Sequence, residues 1–234
     1  FALAARHNPD HIVQMAETPS EVVELRKEAL VRQYVIIVDR SGSMETLWTE
    51  ALSSVNAYVK KLAEDGVDTG VTLACFDTGH DGKMSFDILR DRIIPSTWHA
   101  VTSKDAAPRG GTPLNDATGK VVALADAGNY DKVAIVIMTD GHENSSRELT
   151  VDQAKALLDK CRAKNWQVIF LGANFDNAKQ AASYGNASFS TAHLAAGQMV
   201  NATVSLASMR GAYAQTGAAM GFSEEDKRNL AGNA

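Results

Sequence analysis

The sequence predicts an α/β fold, a mostly parallel β-sheet with helices packed on both faces. Three features point there. Short apolar runs rich in β-branched residues recur along the chain: Val35 to Val38 (VIIV), Val133 to Met138 (VAIVIM) and Trp166 to Leu171 (WQVIFL). Apolar runs without polar alternation belong to strands covered on both faces, as in a parallel sheet. Amphipathic helical patterns separate these runs, as crossovers between parallel strands require. Polar residues stand directly at the strand ends, with Asp39, Ser41 and Ser43 after the first run and Asp140 after the second. Ligands of open α/β sheets bind beyond the carboxyl ends of the strands, where the following helices begin.

A chain of 234 residues is long enough for one large domain with a sizeable core. Its 23 basic and 28 acidic residues leave a net charge of −5, which offers no electrostatic basis for binding nucleic acid or an anionic membrane. No apolar run approaches the ~20 residues of a membrane span. The opening residues, FALAARHNPD, lack the charged-then-apolar order of a signal peptide, and the missing initiator Met is expected of a processed form or a fragment. The two cysteines, Cys75 in a strand pattern and Cys161 in a helix pattern, read as free buried thiols of a reducing, cytoplasmic compartment.

Residues 1–32 read as an N-terminal extension, 33–214 as the main domain and 215–234 as a C-terminal tail. Within the extension, Thr18, Pro19 and Glu21 form a helix start, and Val22, Val23, Leu25, Ala29 and Leu30 give a short apolar stripe. After the first strand, Leu47, Ala51, Leu52, Val55, Val59 and Leu62 recur at helical spacing, and Gly66 ends that helix. Gly70 to Phe76 (GVTLACF) is the next strand. Asp77 behind it reads equally as a border of the strand-end site and as a turn aspartate. Met84 to Ile94 is a short edge strand or hairpin whose charges discourage edge-to-edge pairing. Pro95 to Pro108 is an irregular connection, and its His99 reads as solvent-facing rather than as a zinc ligand.

Leu114, Ala117, Val121, Leu124 and Ala125 form a helix after Thr112. Asp116 in its first turns reads as a structural capping carboxylate rather than a ligand. Ala154, Leu157, Leu158 and Cys161 mark a further helix, Asn174 to Ser183 a short one, and Ala187 to Phe189 a last strand. Met199, Val200, Val204, Leu206, Ala207, Met209 and Tyr213 read as one long helix, and Ser223 to Asp226 as a new helix start. The Ala/Gly/Met character of the long helix reads first as close packing within the chain and second as a self-association surface.

Asp39, Ser41 and Ser43 are spaced i, i+2, i+4, so a short loop can turn one carboxylate and two hydroxyls toward a single centre. Oxygen-only ligands suit a hard divalent cation. Arg109 to Leu114 (RGGTPL) is a glycine turn that brings Thr112 to a helix start, and Thr139-Asp140-Gly141 closes the second apolar strand. With these three parts in order, the chain resembles the von Willebrand factor A family. D-x-S-x-S, a Gly-Thr-Pro loop and Asp-Gly after a strand make up that family's metal-ion-dependent adhesion site, and Asp39, Ser41, Ser43, Thr112 and Asp140 match it. The resemblance runs from about Val31 to Thr191 and on toward Ala214, and it is nearest to small stand-alone bacterial and phage members.

The resemblance implies a three-layer, Rossmann-like fold whose six strands run 3-2-1-4-5-6, the third antiparallel. It implies a bound Mg²⁺ (or Mn²⁺ or Ca²⁺), with the serines as direct ligands and the aspartates acting largely through water. Thr112 would be drawn in when a partner engages. Neutral hydroxyls leave the cation electrophilic, so an exposed Asp or Glu of a protein partner is the expected external ligand. The site loops lie at the sheet end, so Asp39 and Thr112 are expected at the surface. Ser43 and Thr112 each have an alternative reading as helix caps, and Asp140-Gly141 as an ordinary turn.

Enzymatic readings find less support. Haloacid dehalogenase-like phosphatases want a second Asp where Ser41 stands, and neither GxxxxGK[ST] nor GxSxG occurs. His142 and Glu143 follow Asp140 with no nucleophile to serve. The expectation is therefore a non-enzymatic, metal-dependent protein-binding module. The alternative is a structural or assembly subunit, or an AAA+ ATPase adaptor, with a mainly structural metal site.

Overall fold

Strand β1 (Arg32–Asp39) is buried from Gln33 onward, and the other elements are arranged about it. The computed structural model describes residues 32–67, 69–79, 81–128, 130–173, 182–185, 191–194 and 197–231, together with Thr18 and Ser20. The strands that follow are β2 (Gly70–Thr78), β3 (Met84–Ile93), β4 (Lys132–Thr139), β5 (Gln167–Ala173) and β6 (Thr191–Leu194). They form one sheet in the order β3-β2-β1-β4-β5-β6. Only the β2–β3 pairing is antiparallel, so five strands run parallel and the edge strand β3 runs against them. Order and direction are those implied by the family resemblance.

Among the described residues the α-helices are α1 (Trp48–Glu64), α2 (Leu114–Asp126), α3 (Val151–Ala163), α4 (Met199–Thr216) and α5 (Glu224–Leu230). Side chains alternate along β1, β2, β4 and β5, and both sets are buried. Tyr34, Ile36, Val38, Ala134, Val136 and Met138 join the core beneath α1 and α4. Val35, Ile37, Val133, Ile135 and Ile137 join the core beneath α2 and α3. This two-sided burial is why the strands carry no polar alternation.

Helix α1 follows the predicted stripe, with Ala51, Leu52, Val55, Val59 and Leu62 all buried. Gly66, at φ +62, supplies the left-handed turn after it. Helix α3 starts at a capping box in which Thr150 and Gln153 exchange side-chain and backbone hydrogen bonds.

Helix α4 lies along α1. Its buried positions Met199, Ala202, Thr203, Leu206, Ala207, Arg210 and Tyr213 fall on one helical face. Thr203 Oγ1 donates to the Ser54 carbonyl of α1 at 3.1 Å. The small-residue stripe therefore serves packing within the chain. The boundary read at 214 falls inside α4, and Met220, Phe222 and Leu230 beyond it are buried in the same core. Apart from Ser20, the expected helix within 20–30 lies outside the described residues, as do the expected strand at 187–189 and most of the expected helix from Asn174 to Ser183.

Leu206 is fully buried between α4 and the rest of the core. Truncating such a side chain removes apolar burial and leaves a cavity, so Leu206→Ala is expected to cost about 2–5 kcal/mol. Urea unfolding measures this. A change under about 1 kcal/mol would show that α4 is not part of the cooperative core.

Candidate metal centre

The parallel register sets the site. Val38 of β1 pairs with Met138 of β4, and Asp39 pairs with Phe76 of β2. The chain passes from β1 to β2 on one side and returns to β4 on the other, so a crevice opens between the β1 and β4 ends. Asp39 is fully buried at its floor. Its Oδ1 accepts the Ser41 N–H at 2.8 Å, and its Oδ2 accepts the Thr139 hydroxyl at 2.6 Å. Ser41 Oγ lies 3.1 Å from Ser43 Oγ, and Ser43 Oγ donates to Asp140 Oδ1 at 2.8 Å.

Gly141 marks where the remaining oxygen joins. A Cβ there would lie 3.1 Å from Thr112 Oγ1, 3.5 Å from Ser43 Oγ and 3.8 Å from Asp39 Oδ2. The five residues singled out in the sequence are thus brought together. One expectation needs correction. Asp39, Ser41 and Thr112 are not surface residues, being at most 2 % exposed, because the loops fold down over the strand ends. Neither Ser43 nor Thr112 caps a helix: no side-chain cap is present at the 3-10 turn Gly42–Thr46 or at α2, whose N-cap is Pro113.

The loop after Asp140 holds Thr112 through residues whose roles the sequence reading missed. Asn144 Oδ1 accepts the Thr112 N–H at 2.9 Å, and the Asn144 N–H returns a bond to the Thr112 carbonyl at 3.1 Å. Glu143 takes the backbone N–H groups of Ser145 and Ser146 on one oxygen, and the Asn115 N–H and the Ser146 hydroxyl on the other. A carboxylate against the free N–H groups of the first turn of α2 is electrostatically favoured. Asp116 is structural, as expected, but it does not cap its own helix. Its carboxylate accepts the N–H groups of Arg147, Glu148 and Leu149. Of the two readings of Asp77, the structure supports the border of the site over the turn: it lies in β2 as a buried partner of Arg40 and Arg109, which flank the site loops.

Burial pushes the Asp39 carboxyl up to about 6. The hydrogen bonds from Thr139 and Ser41 oppose this, and the nearby Asp140 charge adds to it. Burial also raises Asp140, against the Ser43 hydroxyl. Two crowded carboxylates beside three neutral hydroxyls form an oxygen-only donor set, of the kind that hard divalent cations take and thiolate-preferring metals do not.

Residues 35–196 match the family model of the von Willebrand factor type A domain. No curated protein is matched by sequence. Among solved structures, the chain resembles the von Willebrand factor domain of the type V pili tip protein Mfa5 from Porphyromonas gingivalis. That match has a TM-score of 0.60 and 12% identity over 81% of this chain and 98% of that one. The manganese-loaded TRAP protein of Plasmodium vivax gives 0.51 at 15% identity, over 74% of this chain and 72% of that one. The pilus adhesin SpaC from Lactobacillus rhamnosus GG, in its open conformation, gives 0.58 at 14% identity over 75% of this chain. This chain spans 29% of that adhesin. At such identities the structural likeness speaks for the fold. The family match covers more than half of the sequence, and the chain belongs to the von Willebrand factor type A domain family.

Proposed function

We propose that this chain is a metal-dependent protein-binding module. In this reading Ser41 and Ser43 hold a divalent cation, Mg²⁺ or alternatively Mn²⁺ or Ca²⁺. Asp39 and Asp140 balance its charge largely through water, and Thr112 completes the protein's share of the oxygens. When bound, the cation supplies a Lewis-acidic centre for an Asp or Glu of a protein partner. The observation that carries the reading is the spacing of the oxygens. Octahedral Mg²⁺ with bonds near 2.1 Å sets neighbouring ligands about 3 Å apart. The spacing of Ser41 Oγ to Ser43 Oγ, the two direct ligands of this reading, is 3.1 Å and fits that edge.

The chain's own groups divide the work. Thr139 and the Ser41 N–H hold Asp39 in one orientation, so its carboxylate faces the serines at a fixed distance. Ser43 links the β1 loop to the β4 loop through Asp140. Both Glu143 oxygens are engaged by loop and helix donors, which supports a binding role over general-base chemistry. The free, buried Cys75 and Cys161 are compatible with the cytoplasmic location included in this proposal. The adhesin and pilus contexts of the structurally similar proteins support a protein partner.

Isothermal titration with Mn²⁺ tests the metal reading. Ser41→Ala and Ser43→Ala are each expected to weaken binding at least tenfold, because a neutral direct ligand is lost. Equal Mn²⁺ affinity in the wild type and both variants would contradict it. For the partner, capture from host lysate in Mg²⁺ should be reversed by EDTA. Binding that survives both EDTA and Asp39→Asn would favour an assembly or adaptor role instead.

The raised Asp39 carboxyl adds a pH signature. In the metal-free chain, the stability tied to its protonated form is fully present below the ordinary value of 3.8 and is lost as pH rises through about 6. The loss is about 3 kcal/mol at most. A cation favours the ionised carboxylate and offsets that loss. The thermal midpoint in EDTA is therefore expected to fall between pH 5 and pH 7.5, and Mn²⁺ should raise it more at the higher pH. An Mn²⁺ increment equal at both pH values would contradict this.

A further inference from the structure

Two arginines beside the site loops converge on one buried carboxylate. Arg40 stands inside the D-x-S-x-S turn, between Asp39 and Ser41, and Arg109 heads the Gly110-Gly111-Thr112 turn. Asp77, near the end of β2, is fully buried. Its Oδ2 accepts the Nε–H of Arg40 at 2.6 Å and the Nε–H of Arg109 at 2.8 Å. Arg40 continues to Asp87 Oδ2 on β3 at 2.6 Å. The Arg109 side chain is 37% exposed, and it reaches Ser85 Oγ at 3.3 Å and Asp87 at 3.6 Å.

Backbone bonds run in parallel with these ion pairs. The Arg109 N–H donates to the Arg40 carbonyl at 2.7 Å, and the Gly42 N–H to the Gly110 carbonyl at 3.1 Å. The Thr78 N–H donates to the Gly111 carbonyl at 3.0 Å. Gly110, at φ +65, lies so close to Thr78 that a Cβ there would overlap its carbonyl. The Thr112 loop is therefore laid on the ends of β1 and β2, not merely hung from α2.

A buried carboxylate is tolerated when paired, and removing one partner leaves the remaining charges exposed to a low-dielectric surrounding. The pairing thus opposes any movement of Arg109 away from Arg40. The cluster's two guanidinium groups and two carboxylates balance in charge, so it does little to attract or repel an ion at the crevice. Its consequence is positional. We propose that Asp77, with Arg40 and Arg109, is a clamp that holds the Thr112 loop beside Ser41 and Ser43, so that the Thr112 hydroxyl already stands next to the cation-binding oxygens before a partner draws it into the shell. Asp77 and the arginines are positioning residues, and their role rests on the metal-dependent reading above.

The test is a double-mutant cycle on the full chain with Mn²⁺ alone as the probe, read by isothermal titration and thermal melting. Arg109→Met removes the exposed arm of the clamp and keeps most of the side-chain packing. It is expected to weaken Mn²⁺ binding about tenfold, the scale of lost ligand support, together with a modest fall in thermal midpoint, because the buried Asp77 loses one partner and keeps Arg40. Arg109→Lys keeps the charge but not the Nε–H, and should give a smaller loss. In a Thr112→Ala background, Arg109→Met should add no further loss, because the group it positions is gone. Additive losses, unchanged affinity, or a loss seen only as a lower midpoint would overturn the clamp. Wild-type chain that takes up no Mn²⁺, or takes it up equally after Ser41→Ala, would instead overturn the metal reading, and the clamp's role with it.

Discussion

A carboxylate buried at the end of a fully covered strand is the constraint on which this structure turns. Asp39 is carried to its place by β1, which is flanked by β2 and β4 and covered on both faces. Burial there makes its negative charge costly. The surrounding loops answer that cost with donors: the Thr139 hydroxyl from β4 and the Ser41 N–H from the next turn. Those same bonds fix the approach of the β4 loop to the β1 loop, and hence of Asp140 to Ser43.

Support reaches the site from three sides. The β4 side is tied by Glu143, Asn144 and Asp116, which join the loop after Asp140 to the start of α2. The β2 side is tied by Asp77 and its two arginines. Underneath, the sheet is stiffened by α1 and α4 on one face and by α2 and α3 on the other. For the proposed cation site, weak neutral ligands need their spacing fixed in advance, and these ties fix the spacing of the five residues.

The sequence was legible where a regular period or a dense motif carried the information. The apolar runs of β1 and β4 located both strand ends, and D-x-S-x-S, Gly-Thr-Pro and Asp-Gly named all five oxygens that the fold gathers. The roles of Glu143 and Asn144 were not legible, because their bonds run to backbone amides of α2 and the Thr112 loop, and such contacts leave no periodic trace. The Asp77 pairing was hidden for a similar reason: it depends on the β1–β2 register and on a loop more than thirty residues away. Arg210 shows the reverse case. Helical spacing from Leu206 and Tyr213 places it on the buried face of α4, although its charge alone would put it at the surface. There its guanidinium lies 5.9 Å and 5.5 Å from the ring centres of Tyr34 and Tyr213 and donates to Thr69 Oγ1 at 3.2 Å.

Anomalous diffraction from crystals grown with Mn²⁺ decides whether these oxygens form one cation site. One strong anomalous peak is expected in the crevice beyond β1 and β4, within about 2.0–2.4 Å of both Ser41 Oγ and Ser43 Oγ. A peak seated elsewhere, or a fully ordered crevice that shows none in saturating Mn²⁺, would contradict it.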